Sequence, residues 1–254
     1  MATITSTAYF SPTMIPGCQL WLDGADPKGN GVISANGSSV LIWNDKSGFN
    51  NSPTSSSGTY PTYNSNMKCV SWTGGASQLT FPGSIADAVV GKAFTVFFVQ
   101  QRTAGGADNF IIRGTAGAAN QNLLIGYINP ATYYRFAFYA NDLDAASGAY
   151  VSGEPATVSC FMYSKPNKTI HINGSVSPNA SDTSSSDLVS WAGAMIGGNA
   201  GWADYYGNVH EMIIFASSLS LINRQQVEGY LAWKWGLQAN LPVGHTYKSA
   251  APTT

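Results

Sequence analysis

Glutamate occurs three times in 254 residues, at Glu154, Glu211 and Glu228. Glycoside hydrolysis generally requires two carboxyl groups about 5 to 10 Å apart across the scissile bond. These three sit in unlike settings: Glu154 beside Pro155 in a turn, Glu211 in a strand pattern and Glu228 in a helical one. No Gly-x-Ser-x-Gly turn is present to expose a serine nucleophile. Cys18, Cys69 and Cys160 are widely spaced, and Cys69 and Cys160 fall in strand patterns where a thiol reads as a small buried hydrophobe. His171, His210 and His245 lack the spacing of a metal triad. These residues predict no catalytic machinery and a chain that is not an enzyme.

Two other chemistries have better support. Asp23 and Asp26 border the turn after one apolar run, and Asn44 and Asp45 follow another. Calcium takes hard oxygen ligands from such loops, so Asp23, Asp26 and Asp45 are candidate ligands, against the alternative that they hydrogen-bond their own turns. Saccharide recognition needs aromatic faces for sugar rings, with amides and carboxylates for hydroxyls. The stretch Gly197 to Tyr206 concentrates these types. Asn199, Trp202, Asp204, Tyr205 and Tyr206 are the candidate glycan contacts, among glycines that let backbone approach a ligand. Trp202 would stack, and Asn199 and Asp204 would exchange hydrogen bonds with hydroxyls. The alternative is that Trp202 and Tyr205 cover a sheet edge.

The elements that position these side chains read as strands. Apolar alternation or β-branched and aromatic runs occur at Gln19–Leu22, Val40–Trp43, Lys68–Trp72, Gln78–Phe81, Phe94–Gln101 and Phe110–Arg113. They recur at Leu123–Tyr127, Tyr133–Tyr139, Thr157–Ser164, Thr169–Asn173 and Gly207–Phe215. In Tyr133–Tyr139, Tyr134, Phe136 and Phe138 share one face, and Tyr133, Arg135, Ala137 and Tyr139 the other. Asp142 and Asp144 read as a loop, as do Asn50–Asn66 and Asn179–Asp187. One helix is expected, from about Leu221 to Trp235, with Ser220 as N-cap and Gly236 as terminator. Val227, Leu231 and Trp235 would face the sandwich. This predicts an all-β protein, a two-sheet antiparallel jelly-roll sandwich with one C-terminal helix. An N-terminal arm at 1–16 would precede a single domain at 17–254.

Composition narrows the partners. Charged residues make up 10 % of the chain, against roughly 25 % in an average soluble domain. With 12 Lys+Arg against 13 Asp+Glu there is no basic excess to hold a phosphate backbone, so no nucleic acid is expected. No apolar run reaches the roughly 20 residues of a membrane helix, and no membrane insertion is expected. Met1–Gly17 contains no Lys or Arg, so export by a signal peptide is not expected either.

Several segments together resemble a known family. They are Gln19-Leu20-Trp21-Leu22-Asp23-Gly24-Ala25-Asp26, Trp43-Asn44-Asp45-Lys46-Ser47-Gly48, Ile170-His171-Ile172-Asn173-Gly174 and Gly207–Phe215. With the tail Arg224–Leu237, Leu241-Pro242 and His245–Lys248, they are similar to the concanavalin A-like, laminin-G-like jelly-roll family, of the kind found in structural proteins of large DNA viruses and bacteriophages. The resemblance implies a framework role for Trp21, Trp43, Glu211, Ile213 and Phe215. It also implies a non-catalytic virion structural protein, a minor capsid, decoration or fibre-type module. Its expected partners are other capsid or virion proteins, a cell-surface glycan and further copies of itself, and its expected location is the virion surface. A free carbohydrate-binding lectin and a glycoside hydrolase are the alternatives.

Overall fold

The computed structural model describes residues 9–55, 58–104, 108–128, 133–146, 156–198 and 203–253. In chain order these form β1 (Cys18–Asp23), β2 (Thr62–Asn64), β3 (Cys69–Thr73), β4 (Gln78–Thr80), α1 (Gly83–Val89), β5 (Phe94–Arg102), β6 (Asn109–Arg113) and β7 (Leu124–Ile128). There follow β8 (Tyr133–Ala137), β9 (Asp142–Ala146), β10 (Thr157–Ser164), β11 (Asn167–Ile172), β12 (Ala180–Asp182), β13 (Met195–Gly197), β14 (Tyr206–Phe215) and α2 (Leu221–Lys234). Eight strands make one antiparallel sheet in the order β12-β11-β10-β5-β14-β3-β2, with β1 also paired to β14. Six make the other, β4-β13-β6-β7-β8-β9. The expected β-sandwich is therefore present.

The order follows from which runs are apolar on both faces. Phe94, Val96 and Phe98 of β5 point into the space between the sheets, where they share a buried cluster with Ile112, Ile125, Tyr134 and Phe136. Phe97 and Val99 point the other way, into a second cluster with Ile213, Phe215, Val227 and Leu231. A strand buried on both faces belongs in the middle of a sheet, and β5 lies between β10 and β14. The outer cover is α2. The Ser220 side chain accepts from the Asn223 amide at its start, and Val227, Leu231 and Ala232 pack onto the eight-stranded sheet. Residues 9–16 join the same layer: Phe10 and Ile15 are buried there, and Tyr9 bridges to Thr253.

β14 carries a bulge between Val209 and Glu211 that changes what its side chains can reach. Val209 and Met212 face inward, whereas His210 and Glu211 both meet Trp235 on the helix side. Glu211 has no exposed surface. It accepts from Trp21 Nε1 (2.6 Å), Tyr230 Oη (2.8 Å) and Trp235 Nε1 (2.6 Å), and it pairs with Lys234 Nζ (2.8 Å). Lys234 also reaches Asp23 (2.9 Å), which in turn pairs with Lys46 (3.1 Å). Gly24 completes the junction because a Cβ there would lie 2.4 Å from the His210 carbonyl oxygen.

Four expectations are corrected. Val40–Trp43 is not a sheet strand: Val40 and Trp43 amides bond the Pro61 and Pro53 carbonyls, lacing a loop, and Leu41 and Ile42 are half exposed. The second helix, α1, has only seven residues, too few to show a helical period. Short strands β2 and β12 occur inside the two expected loops, drawn into the sheet by β3 and β11. Asp142 and Asp144 stand on edge strand β9 rather than in a loop. No described helix is long and apolar enough to cross a membrane.

Leu231 is completely buried, so Leu231→Ala is expected to lower stability by about 2 to 5 kcal/mol in chemical denaturation. A second expectation concerns acid. Burial pushes the His210 imidazole down to about 4, the Met67 backbone opposing it, while an unfolded histidine titrates near about 6.5. Between these values the unfolded chain binds a proton that the folded chain refuses. The stabilisation is full above the unfolded value and is lost as pH falls toward the folded one, by about 3 kcal/mol. His210→Phe should flatten that loss when urea midpoints are compared at about pH 7 and about pH 4.

Candidate functional site

The face of the six-stranded sheet that points away from the core is shaped by its register. Leu124 stands opposite Ala137, Gly126 opposite Arg135 and Ile128 opposite Tyr133. Arg135 is in turn opposite Asp144, and Ala137 opposite Asp142. Strand alternation therefore puts Arg135 and both aspartates on the outer face while Tyr134 and Phe136 enter the core. A bulge between Phe110 and Ile112 turns Phe110 outward, where it packs with Leu124, Ala137 and Tyr139. Gly126 permits this, since a Cβ there would lie 2.5 Å from Phe110 Cα. The result is a cleft of about 520 Å³ floored by Phe110 and Leu124 and rimmed by Asp108, Arg135, Tyr139 and Asp142. That volume is in the range of small-molecule sites.

Each guanidinium nitrogen of Arg135 meets a carboxylate. Its Nε and Nη2 donate to the two carboxylate oxygens of Asp144, each at 2.8 Å, and its Nη1 lies 2.9 Å from Asp142. A planar fork gripping one carboxylate fixes both groups in orientation. The Asp144 hydrogen bonds raise the Arg135 pKa, burial opposes them, and Asp142, Asp144 and Asp108 add their attraction.

Tyr139 reaches the rim through a strained turn. Phe138 N donates to Asn141 O at 3.0 Å, closing a two-residue hairpin in which Tyr139 has φ +59° and Ala140 φ +52°. Two positive φ values define a type I′ turn, normally made by Asn-Gly or Gly-Gly. Neither Tyr nor Ala favours that region, and each such residue costs about 1 to 3 kcal/mol. Neighbours impose the geometry. The Asn120 amide donates to Tyr139 O (3.0 Å), and Asn141 Nδ2 donates to Asn120 Oδ1 (2.8 Å). From inside the sandwich, the buried Lys168 ammonium donates to Asn141 O (2.5 Å) and sits 3.8 Å from the centre of the Phe138 ring. Burial pushes Lys168 down to about 8, with Asp142 and Asp182 opposing.

The residues expected to touch glycan divide. Asn199 and Trp202 lie outside the described residues. Ala203 packs against Phe110 and Leu124, and its carbonyl accepts from the Phe110 amide at 3.1 Å, so the expected loop rejoins the fold beside the cleft. Asp204 lies 3.9 Å from Arg113. Tyr206 is part exposed with its ring over Gly74. Tyr205 is corrected to framework: it is completely buried, packs edge-on against Trp72 and donates to Gln100 Oε1 at 3.0 Å.

The calcium reading is corrected as well. Asp23 is held by Lys46 and Lys234, and Asp26 by Lys46 and the Asn30 and Gly31 amides. Asp45 accepts from the Trp21, Ser47 and Asn51 amides and from the Ser47 hydroxyl. Their oxygens serve lysines and the chain itself, and among the described residues no three His, Cys, Asp or Glu are grouped to hold a metal ion. Of the glutamates, Glu211 is in the buried junction and Glu228 pairs with Arg224 at 2.7 Å, while Glu154 lies outside the described residues. Sequence reasoning missed Arg135, Tyr139, Asp142 and Asp144 as a group. The face shared by Arg135 and Tyr139 was legible; the pairing with β9 was not.

No family model and no curated protein sequence matches the chain. Solved structures do. Trypanosoma rangeli sialidase in complex with 2,3-difluoro-KDN aligns with TM-score 0.60 and 12 % identity over 91 % of this chain and 37 % of that one. The binding domain of botulinum neurotoxin DC in complex with SialylT aligns with TM-score 0.57 and 12 % identity, over 87 % and 52 % of the two chains. Botulinum neurotoxin type C, whose cell entry depends on two ganglioside molecules, aligns with TM-score 0.56 and 12 % identity over 85 % and 51 %. The chain thus spans just over a third of the sialidase and about half of the toxin chains. At such identity the likeness establishes the β-sandwich fold alone. The expectation that the chain is not an enzyme is corrected here, because the same sandwich occurs in sialidases.

The turn supplies a test of its geometry. Ala140 is exposed, so Ala140→Gly removes strain without removing a contact and is expected to raise stability by about 1 kcal/mol in denaturant titration.

Proposed function

We propose that this chain is a carbohydrate-recognition module and that the cleft on the outer face of the six-stranded sheet takes the saccharide. The observation that carries the reading is the placement of Tyr139 on a turn that two unfavourable φ values force outward. Strain of this kind persists where surrounding structure over-determines it and gathers at ligand sites. Tyr139 and Phe110 offer apolar faces for a sugar ring, and Asp108 and Asp142 on the rim offer carboxylate acceptors for hydroxyls. The SialylT complex of the botulinum neurotoxin DC binding domain, and the dependence of botulinum neurotoxin type C entry on gangliosides, support the reading by analogy of fold. Tyr139→Gly separates binding from folding, because glycine accommodates the positive φ while deleting the ring. It is expected to keep or raise the melting point and to abolish retention on a glycan array. Unchanged retention would place the saccharide elsewhere.

We further propose that the module is carried on a virion surface, where it packs on other capsid proteins. The support is the resemblance of the Gln19–Asp26, Trp43–Gly48 and Arg224–Leu237 segments to viral jelly rolls. Mass spectrometry of purified particles should detect the chain, and its absence from them would remove this placement.

A further inference from the structure

The cleft has an unbalanced charge that bears on which saccharides can enter it. Arg135 is its one cation among the described lining residues, and three carboxylates surround that cation: Asp144, Asp142 and Asp108. All three guanidinium nitrogens are already directed at Asp144 or Asp142, at 2.8 to 2.9 Å. An incoming carboxylate would find the Nε/Nη2 fork, the feature that recognises such groups, already taken by Asp144, and Nη1 already facing Asp142. Arg113 is buried beside Asp204, and Lys168 is buried behind the sheet face with its ammonium on Asn141. Segments outside the described residues add no cation, since they contain neither Lys nor Arg. The formal charge of the group is one positive against three negative.

We infer that the cleft selects uncharged saccharides and rejects those carrying a carboxylate or sulfate. This rests on the glycan reading above and gives it a ligand class. It also separates this chain from the fold neighbours solved with sialic acid or SialylT. Selection operates by repulsion: the excess of two negative charges at roughly 6 Å, in water with a dielectric constant of about 80, weakens a monoanion about tenfold. Asp108 and Asp142 on the rim simultaneously serve as acceptors for neutral hydroxyls, so the same groups attract one class and exclude the other.

The experiment is an array of matched pairs, each a neutral oligosaccharide and its terminally sialylated counterpart, probed with the full chain. Neutral members should bind about tenfold more tightly than their sialylated partners at low salt. Raising salt from about 0.01 M to about 1 M shortens the screening length from roughly 30 Å to roughly 3 Å and should close most of that gap. Asp144→Asn frees the Arg135 fork and removes one negative charge, so the ratio of sialylated to neutral binding should rise severalfold. Asp108→Asn, which leaves the Arg135 fork intact, should narrow the gap less and tests the charge alone. Equal or tighter binding of sialylated members by the unaltered chain overturns the inference while leaving the glycan reading standing. Binding of neither class overturns both.

Discussion

A carboxylate sealed from water must find its compensation inside the protein, and Glu211 organises the helix-covered half of this molecule by that demand. Its ionised form is opposed by burial and sustained by Lys234, two indole N–H groups and the Tyr230 hydroxyl. Those donors come from β1 and from the end of α2, so the helix sits over β14 with little freedom to slide. Removing one partner of such a buried group typically costs about 3 to 5 kcal/mol. Asp23 extends the network through Lys234 and Lys46 to the loop after Trp43, where Asp45 gathers three amides and a hydroxyl. The short motifs around Trp21, Trp43, Glu211 and Trp235 are thus parts of one junction.

The two sheets have opposite fates on their outer faces. One is closed by α2, residues 9–16 and the chain end, which bury Phe97, Val99, Ile213 and Phe215. Among the described residues nothing covers the other over β6 to β9, where polar and aromatic side chains are arranged by register and by the Phe110 bulge. Lys168 links the open face to the interior: it spans from β11 to the hairpin carrying Tyr139. The rim of the cleft is consequently braced from the core side.

Much of this architecture is legible in the sequence. Phe94–Val99, with no polar residue except Thr95, could only be central, and β5 is. Gly207–Phe215 reads as a strand, and β14 begins within one residue of it. Ser220, the helical spacing of Val227 and Leu231, and Gly236 located α2. The site was less legible because it depends on pairing between segments. Arg135 could be assigned to a solvent face from alternation alone, but Asp142 and Asp144 became its partners only when β9 paired with β8. Nothing in Tyr139-Ala140 signals a type I′ turn, since the residues contradict the rule and tertiary bonds override it. Tyr205 failed for the opposite reason: its neighbours are loop-like, yet its hydroxyl is needed by Gln100 in the core.

The bridge between Tyr9 and Thr253 closes the helix-covered layer on the side away from the cleft. The polypeptide passes those two points side by side, next to Tyr230 and Trp233 on the helix-covered layer. That area is separated from Arg135 and Tyr139 by both sheets and the core between them. A partner docked at that area would have both sheets and the core between itself and the acidic cleft, so the two surfaces can be engaged at once without competing.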